Sequence, residues 1–218
     1  MPARSMRTRV LAGVAAVAAV GTVGSLGVAA AATSKPDETT FRMFPQTSLL
    51  NCMKPSPDAR TPEVSVSVDR GDLNDRATVE LRGFKPNLDF DLFTIQHSPQ
   101  TATGAADANP SVGLAWYQTD LHVGSDGRGH ARIRTVLLDQ IFGVDKDVAL
   151  APTNTFHLGF WFNNPADAQR CGFTGSTPFN GEHHAGPLAF VTRPNRTTDL
   201  GPLCTDPISG SGGFACNP

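Results

Sequence analysis

The sequence predicts an all-β protein, an antiparallel β-sandwich with an irregular N-terminal arm and disulfides. Three observations point there. Apolar and polar residues alternate with period two in a series of short segments. Clusters of Gly, Pro, Asp and Asn separate those segments. All four cysteines follow an N-terminal export signal.

The export signal comes first in the chain. MPARSMRTR carries three arginines and no acid, and a small, apolar run from Val10 to Ala32 follows it. The run ends in Ala29-Ala30-Ala31-Ala32, the small-residue pattern that a signal peptidase cleaves. About 20 apolar residues could also anchor a chain in a bilayer, but Ala and Gly dominate here and are only weakly hydrophobic. Residues 1–32 therefore read as a signal peptide, and the product as a secreted, extracellular protein with no membrane insertion after cleavage. Cleavage removes three of the 18 basic residues and none of the 20 acids, leaving 15 against 20, a net charge of −5. Such a balance argues against nucleic acid as a partner.

Residues 33–62, rich in Pro, Thr, Ser and charge, read as an extended arm. The pattern changes at Glu63. Val64, Val66 and Val68 alternate with polar residues, as do Ala77, Val79 and Leu81, and then Leu88, Phe90 and Leu92. Further strands are expected at Val112–Tyr117, Asp120–Val123, His130–Thr135, Thr155–Phe162 and Pro187–Thr192. Period-two alternation between turn clusters (DRGDLND, GFKPN) marks half-buried antiparallel strands. The strand–turn–strand cadence of TVELRGFKPNLDFDLFTI is immunoglobulin-like. The sandwich is expected over 63–193, and two short helical turns at Val136–Phe142 and after Asn164. Asn164 supplies an N-cap residue, with Pro165 at the first helical position.

Cys52, Cys171, Cys204 and Cys216 form an even set in an oxidising compartment, and four cysteines allow three connectivities. Cys204–Cys216 would close the Gly/Ser-rich segment of 194–218, leaving Cys52–Cys171 to tie the arm to the core. No CxxC spacing suggests thiolate ligation of a metal.

Thr155–Phe162 places Phe156, Leu158, Phe160 and Phe162 on one face, which must be core. His157, Gly159 and Trp161 fall on the other, which could be surface. Trp116, Tyr117 and Trp161 are the candidate ligand-binding residues, since an exposed aromatic ring can stack on a carbohydrate or peptide.

The chain carries no GxSxG elbow, phosphate-cradling glycine loop, HExxH or EF-hand pattern, which weakens an enzymatic reading. Five of the six histidines lie between 122 and 184. An Asp126-Gly127 hairpin turn would point His122 and His130 to opposite faces, whereas a three-residue loop would set them side by side. His157, Glu182, His183 and His184 are the candidate metal ligands; imidazole with carboxylate suits zinc or copper. The function expected is a non-catalytic extracellular protein that binds an unidentified ligand or cell-surface component without a cofactor. The competing expectation is a zinc or copper site built from these late histidines.

Two blocks, TFHLGFWFNNPADAQRCG (155–172) and TPFNGEHHAG (177–186), with GLAWYQTDLHVGSDGRGHARI (113–133) upstream, carry a resemblance. They are similar to a group of secreted proteins from high-GC Gram-positive bacteria. The resemblance spans about residues 63–193; it implies a shared fold and secretion and transfers no catalytic residue. FHLGF…CGFTGSTPFNGEHHAGP also resembles the ligand region of the copper/zinc superoxide dismutase sandwich. There His157 and His184 fall at ligand-like positions. Gly159 and Pro178 stand where that family has histidines, so the resemblance implies at most the fold.

Overall fold

The computed structural model describes residues 38–69, 71, 74–135, 143–145, 150–153, 155–174, 177–179 and 183–204. The side chains of residues 135, 143–145, 150–153, 177–179, 183, 184 and 204 lie outside that description. The strands are β1 (Glu38–Pro45), β2 (Glu63–Asp69), β3 (Asp75–Arg82), β4 (Asp89–Ile95), β5 (Ala115–His122) and β6 (Gly129–Thr135). They continue with β7 (Gly143–Asp145), β8 (Leu150–Thr153), β9 (Thr155–Phe162), β10 (Thr177–Phe179), β11 (His183–Ala185), β12 (Leu188–Val191) and β13 (Leu203–Cys204). Two one-turn helices, α1 (Leu50–Met53) and α2 (Pro165–Gln169), interrupt them. None of the described helices is long and apolar enough to cross a membrane.

The main sheet is antiparallel and follows one path, β5-β4-β9-β12-β1-β2-β3-β6, with β13 added to β9. Its pivot is β1. Residues Glu38–Met43 pair with β2, and Phe44 and Pro45 pair with Val191 and Phe190 of β12. A strand that changes partner midway turns a corner between two layers. The sheet therefore doubles over, and its ends β5 and β6 approach each other at the turn joining them. Proline is tolerated here because Pro45 ends its strand.

One core fills the fold. Val64, Val66, Val68, Ala77, Val79 and Leu81 point inward from one half. Phe90, Leu92, Phe156, Phe160, Phe162 and Phe190 meet them from the other. The Phe90 and Phe160 rings lie 4.8 Å apart and those of Phe160 and Phe190 5.1 Å apart, each pair contributing about 0.5–1.5 kcal/mol beyond area burial. Within this core, the Thr94 hydroxyl is buried with no hydrogen-bond partner among the described residues.

Several expectations hold. β2, β3, β4, β6, β9 and β12 fall where alternation puts them, and Asn164 Oδ1 accepts the Ala166 N–H at 2.9 Å to cap α2. Cys52 and Cys171 are joined, with Cα atoms 5.8 Å apart, linking α1 to the turn that follows α2.

Other expectations are corrected. The arm expected over 33–62 contains β1, a strand inside the sheet, because Phe41 and Met43 supply an inward face within otherwise polar text. The second face of β9 is not surface, since the whole strand from Phe156 to Phe162 is buried. A smaller cluster of Phe93, Ile95, Trp161, Ala185 and Val191 covers it, supported by Val112, Ala115 and Leu188. The expected strands at 112–117 and 120–123 are one strand. The Gly124–Arg128 turn forms, with Gly127 at φ 73°, but β5 and β6 do not pair across it. The turn docks on the 84–88 loop instead, where Phe84 N–H donates to Gly127 O and Asn87 N–H to Val123 O. The turn's closing bond, Gly124 N–H to Arg128 O at 2.8 Å, is that of the three-residue loop Ser125–Gly127, but the ladder stops there, and His122 and His130 pair instead with Asp89 and Glu80. Val136–Phe142 and Cys216 lie outside the described residues, as does the Cys204 side chain.

Two stability measurements follow from these contacts. Replacing Cys52 and Cys171 together with serine is expected to cost about 2–5 kcal/mol in guanidinium denaturation, since the bond closes a loop of 119 residues. Thr94→Val removes the orphaned hydroxyl at nearly constant shape and is expected to raise the melting temperature.

Candidate functional site

The outer face of the β5–β4–β9 half is where exposed aromatic and polar side chains meet. Alternation along β4 turns Asp89, Asp91 and Phe93 outward. On β5 the register slips between Leu92 and Phe93: Leu92 faces Thr119 but Phe93 faces Tyr117, leaving Gln118 as a bulged extra residue. A bulge shifts the phase of every residue beyond it. It brings Tyr117 onto the same face as Asp120 and His122, and sends Trp116 to the inner side against Phe156, ring centroids 5.7 Å apart.

Trp116 and Tyr117 are the exposed large hydrophobic side chains of the described residues, at 36% and 48%. They do not form one platform, because successive residues of a strand point to opposite faces; the bulge sets which of the two is outward. Tyr117 instead heads an aromatic row. Its ring meets Phe93 edge-on at 5.7 Å, and Phe93 meets Trp161 edge-on at 5.4 Å. Trp161, 4% exposed, is the buried end of that row and presents no face to solvent. The sequence-based choice of Trp161 as a ligand contact is thereby corrected. Its ring folds back over Gly159, where an added Cβ would sit 3.0 Å from it, so the outward position of residue 159 is already filled.

Polar groups flank the exposed ring. The Tyr117 hydroxyl donates to Asp120 Oδ1 at 2.8 Å. Desolvation, then the hydrogen bond to Asp120 and the charges of Asp120 and Asp91, push the phenol up to about 12, so it remains a donor at neutral pH. Asp91, opposite Asp120, accepts from Asn163 Nδ2 at 2.8 Å. Asp89 and His122 pair at 2.6 Å in an exposed contact. An aromatic ring bordered by carboxylates and a primary amide can stack on the apolar face of a sugar and bond its hydroxyls. The carboxylates and amide were missed in the sequence because their convergence depends on the bulge and on pairing with β9.

The histidine candidates behave differently. His157 is buried, and its Nδ1 shares a hydrogen bond of 3.0 Å with the Thr192 hydroxyl, which also accepts the Leu158 N–H. Gly201 packs so closely on the other side that a Cβ there would lie 2.8 Å from Nε2. Both ring nitrogens are thus enclosed by protein. His183 and His184 belong to β11, but their side chains lie outside the described residues, as does Glu182. Among the described residues no three His, Cys, Asp or Glu side chains converge as metal ligands.

Burial first, and then the neighbouring His97, depress His157 to about 3. In the unfolded chain it binds a proton below about 6.5; in the folded protein it does not until about 3. The unfolded state therefore binds more protons across that window, and stability falls as pH drops through it. Denaturation midpoints measured from pH 7 to 4 are expected to decline, and His157→Gln is expected to flatten the decline.

Comparison with known protein families, with curated proteins and with solved structures finds no match for this chain.

Proposed function

We propose that the protein is a secreted, non-catalytic binding module whose ligand is a cell-surface carbohydrate, held at the outer face of β5. The observation that carries the reading is Tyr117: a large ring, half exposed, backed by buried Phe93 and bordered by Asp120, Asp91 and Asn163. A rigid, prepacked ring loses little entropy on binding, and its neighbours supply acceptors and donors in fixed positions. Export of the chain, read from its first 32 residues, is part of the same proposal. So is the reading of the doubled sheet as an immunoglobulin-like sandwich; the change of partner along β1 and the single core between the halves support it.

Isothermal titration against a panel of purified cell-surface polysaccharides tests the proposal. Tyr117→Ala and Asp120→Asn are each expected to weaken binding tenfold or more at an unchanged melting temperature. Trp161→Ala is expected to cost about 3–5 kcal/mol of stability instead. Absence of binding by the wild type, or equal binding by Tyr117→Ala, overturns the proposal.

A further inference from the structure

The outer face of the β1–β2–β3–β6 half is polar, open to solvent and unevenly charged. Its acids gather toward β1 and β2, at Glu38, Glu63 and Asp69. Its guanidinium groups gather toward β3 and the edge strand β6. Glu80 holds Arg82 at 2.6 Å. Arg76, Arg132 and Arg134 are exposed and make no ion pair or side-chain hydrogen bond among the described residues. Arg76 sits directly opposite Arg134, and Arg132 lies one outward position along β6, opposite Thr78.

Like charges directly opposite each other destabilise a sheet, so folding gains nothing from the Arg76–Arg134 pair. Charge on an edge strand does discourage pairing with other chains; Arg76, on the interior strand β3, lies between Asp69 on one side and Arg134 on the other. The three groups are spaced for a ligand. Arg132 and Arg134 stand about 7 Å apart along the strand, and Arg76 and Arg134 about 5 Å apart across it. Each guanidinium can bond a phosphate through two parallel N–H groups. Thr78, with Ser67 opposite it on β2, adds hydroxyls beside the row. None of β2, β3 and β6 carries a Phe, Tyr or Trp to stack on a nucleobase; the next outward residue of β6 beyond Arg132 is the imidazole of His130.

We infer that Arg76, Arg132 and Arg134 dock a linear, phosphodiester-linked polyol polymer across the β3–β6 edge of the sheet. Carboxylates border the row on one side: Asp69 stands opposite Arg76 on β2, and Glu80, bonded to Arg82, is the next outward residue after Thr78 on β3. The site shares no residue with the Tyr117 face, and the two stand or fall separately.

Titration of the purified protein with poly(glycerol phosphate) at several salt concentrations is the test. Binding is expected to weaken with salt at a log–log slope of about −2, from ~0.7 per contacted phosphate on a single strand. The double substitution Arg132→Gln and Arg134→Gln is expected to lower affinity at least tenfold without lowering the melting temperature, and Tyr117→Ala to leave it unchanged. Should the double variant fail to fold, Arg76→Gln on the neighbouring strand is expected to lower both affinity and slope. The inference is overturned by absence of wild-type binding at low salt, or by glutamine variants that fold and bind like the wild type. It is equally overturned if a polyuronate or poly(dT) of matched charge binds as tightly as the phosphodiester polymer.

Discussion

Burial of β9 on both faces is the constraint from which the rest of the structure follows. One face packs Phe156, Phe160 and Phe162 into the main core; the other packs Trp161 against Phe93 and Ile95. A strand enclosed in this way leaves no room for a free polar group. His157 is accordingly held neutral and bonded to Thr192, and the Trp161 ring lies over Gly159, 3.0 Å from where a Cβ would be, so a side chain there would press on the ring. Anything able to meet a ligand is displaced from the centre of the sheet to its ends. The aromatic and carboxylate groups collect at β5, and the unpaired arginines collect at β6.

Much of the fold could be read from the chain because local patterning and tertiary position agree there. The valines of β2, the alternation of β3 and the Asn164-Pro165 start of α2 each specify their own conformation and find it. β1 was obscured because Phe41 and Met43 are set in Pro- and Thr-rich text whose average composition suggests an arm. The second core was obscured for another reason. Alternation distinguishes two faces of a strand but does not say what covers them, and here the cover comes from Val112, Ala115, Ala185 and Leu188, distant in sequence from much of what they enclose.

The candidate site was half legible. Tyr117 and Trp116 stood out as aromatics in a strand, yet strict alternation gives no hint that Gln118 bulges and exchanges their faces. The carboxylates looked like ordinary strand polarity until pairing set Asp91 opposite Asp120. The chain does turn at Asp126-Gly127, through the three-residue loop Ser125–Gly127 and not the two-residue form, but a turn fixes only the direction of the chain. β5 and β6 each found a partner elsewhere, which set His122 beside Asp89 and His130 beside Glu80 and left an edge on either side. Net charge likewise averaged over two faces of opposite character and concealed both.

The bond between Cys52 and Cys171 makes a covalent ring of the chain from β2 to α2, while β1 and β12 lie outside it and pair with each other. Backbone cleavage anywhere within the ring leaves the pieces tethered, so a protease that nicks the long 96–114 loop releases nothing until a reductant is present. A cut beyond Cys171 leaves the segment that carries β12 without a covalent tie to the ring, held by its pairing with β9 and β1 and by Phe190 in the core. One sulfur–sulfur link thus decides which nicks are covalently silent and which leave a central strand held by noncovalent contacts alone.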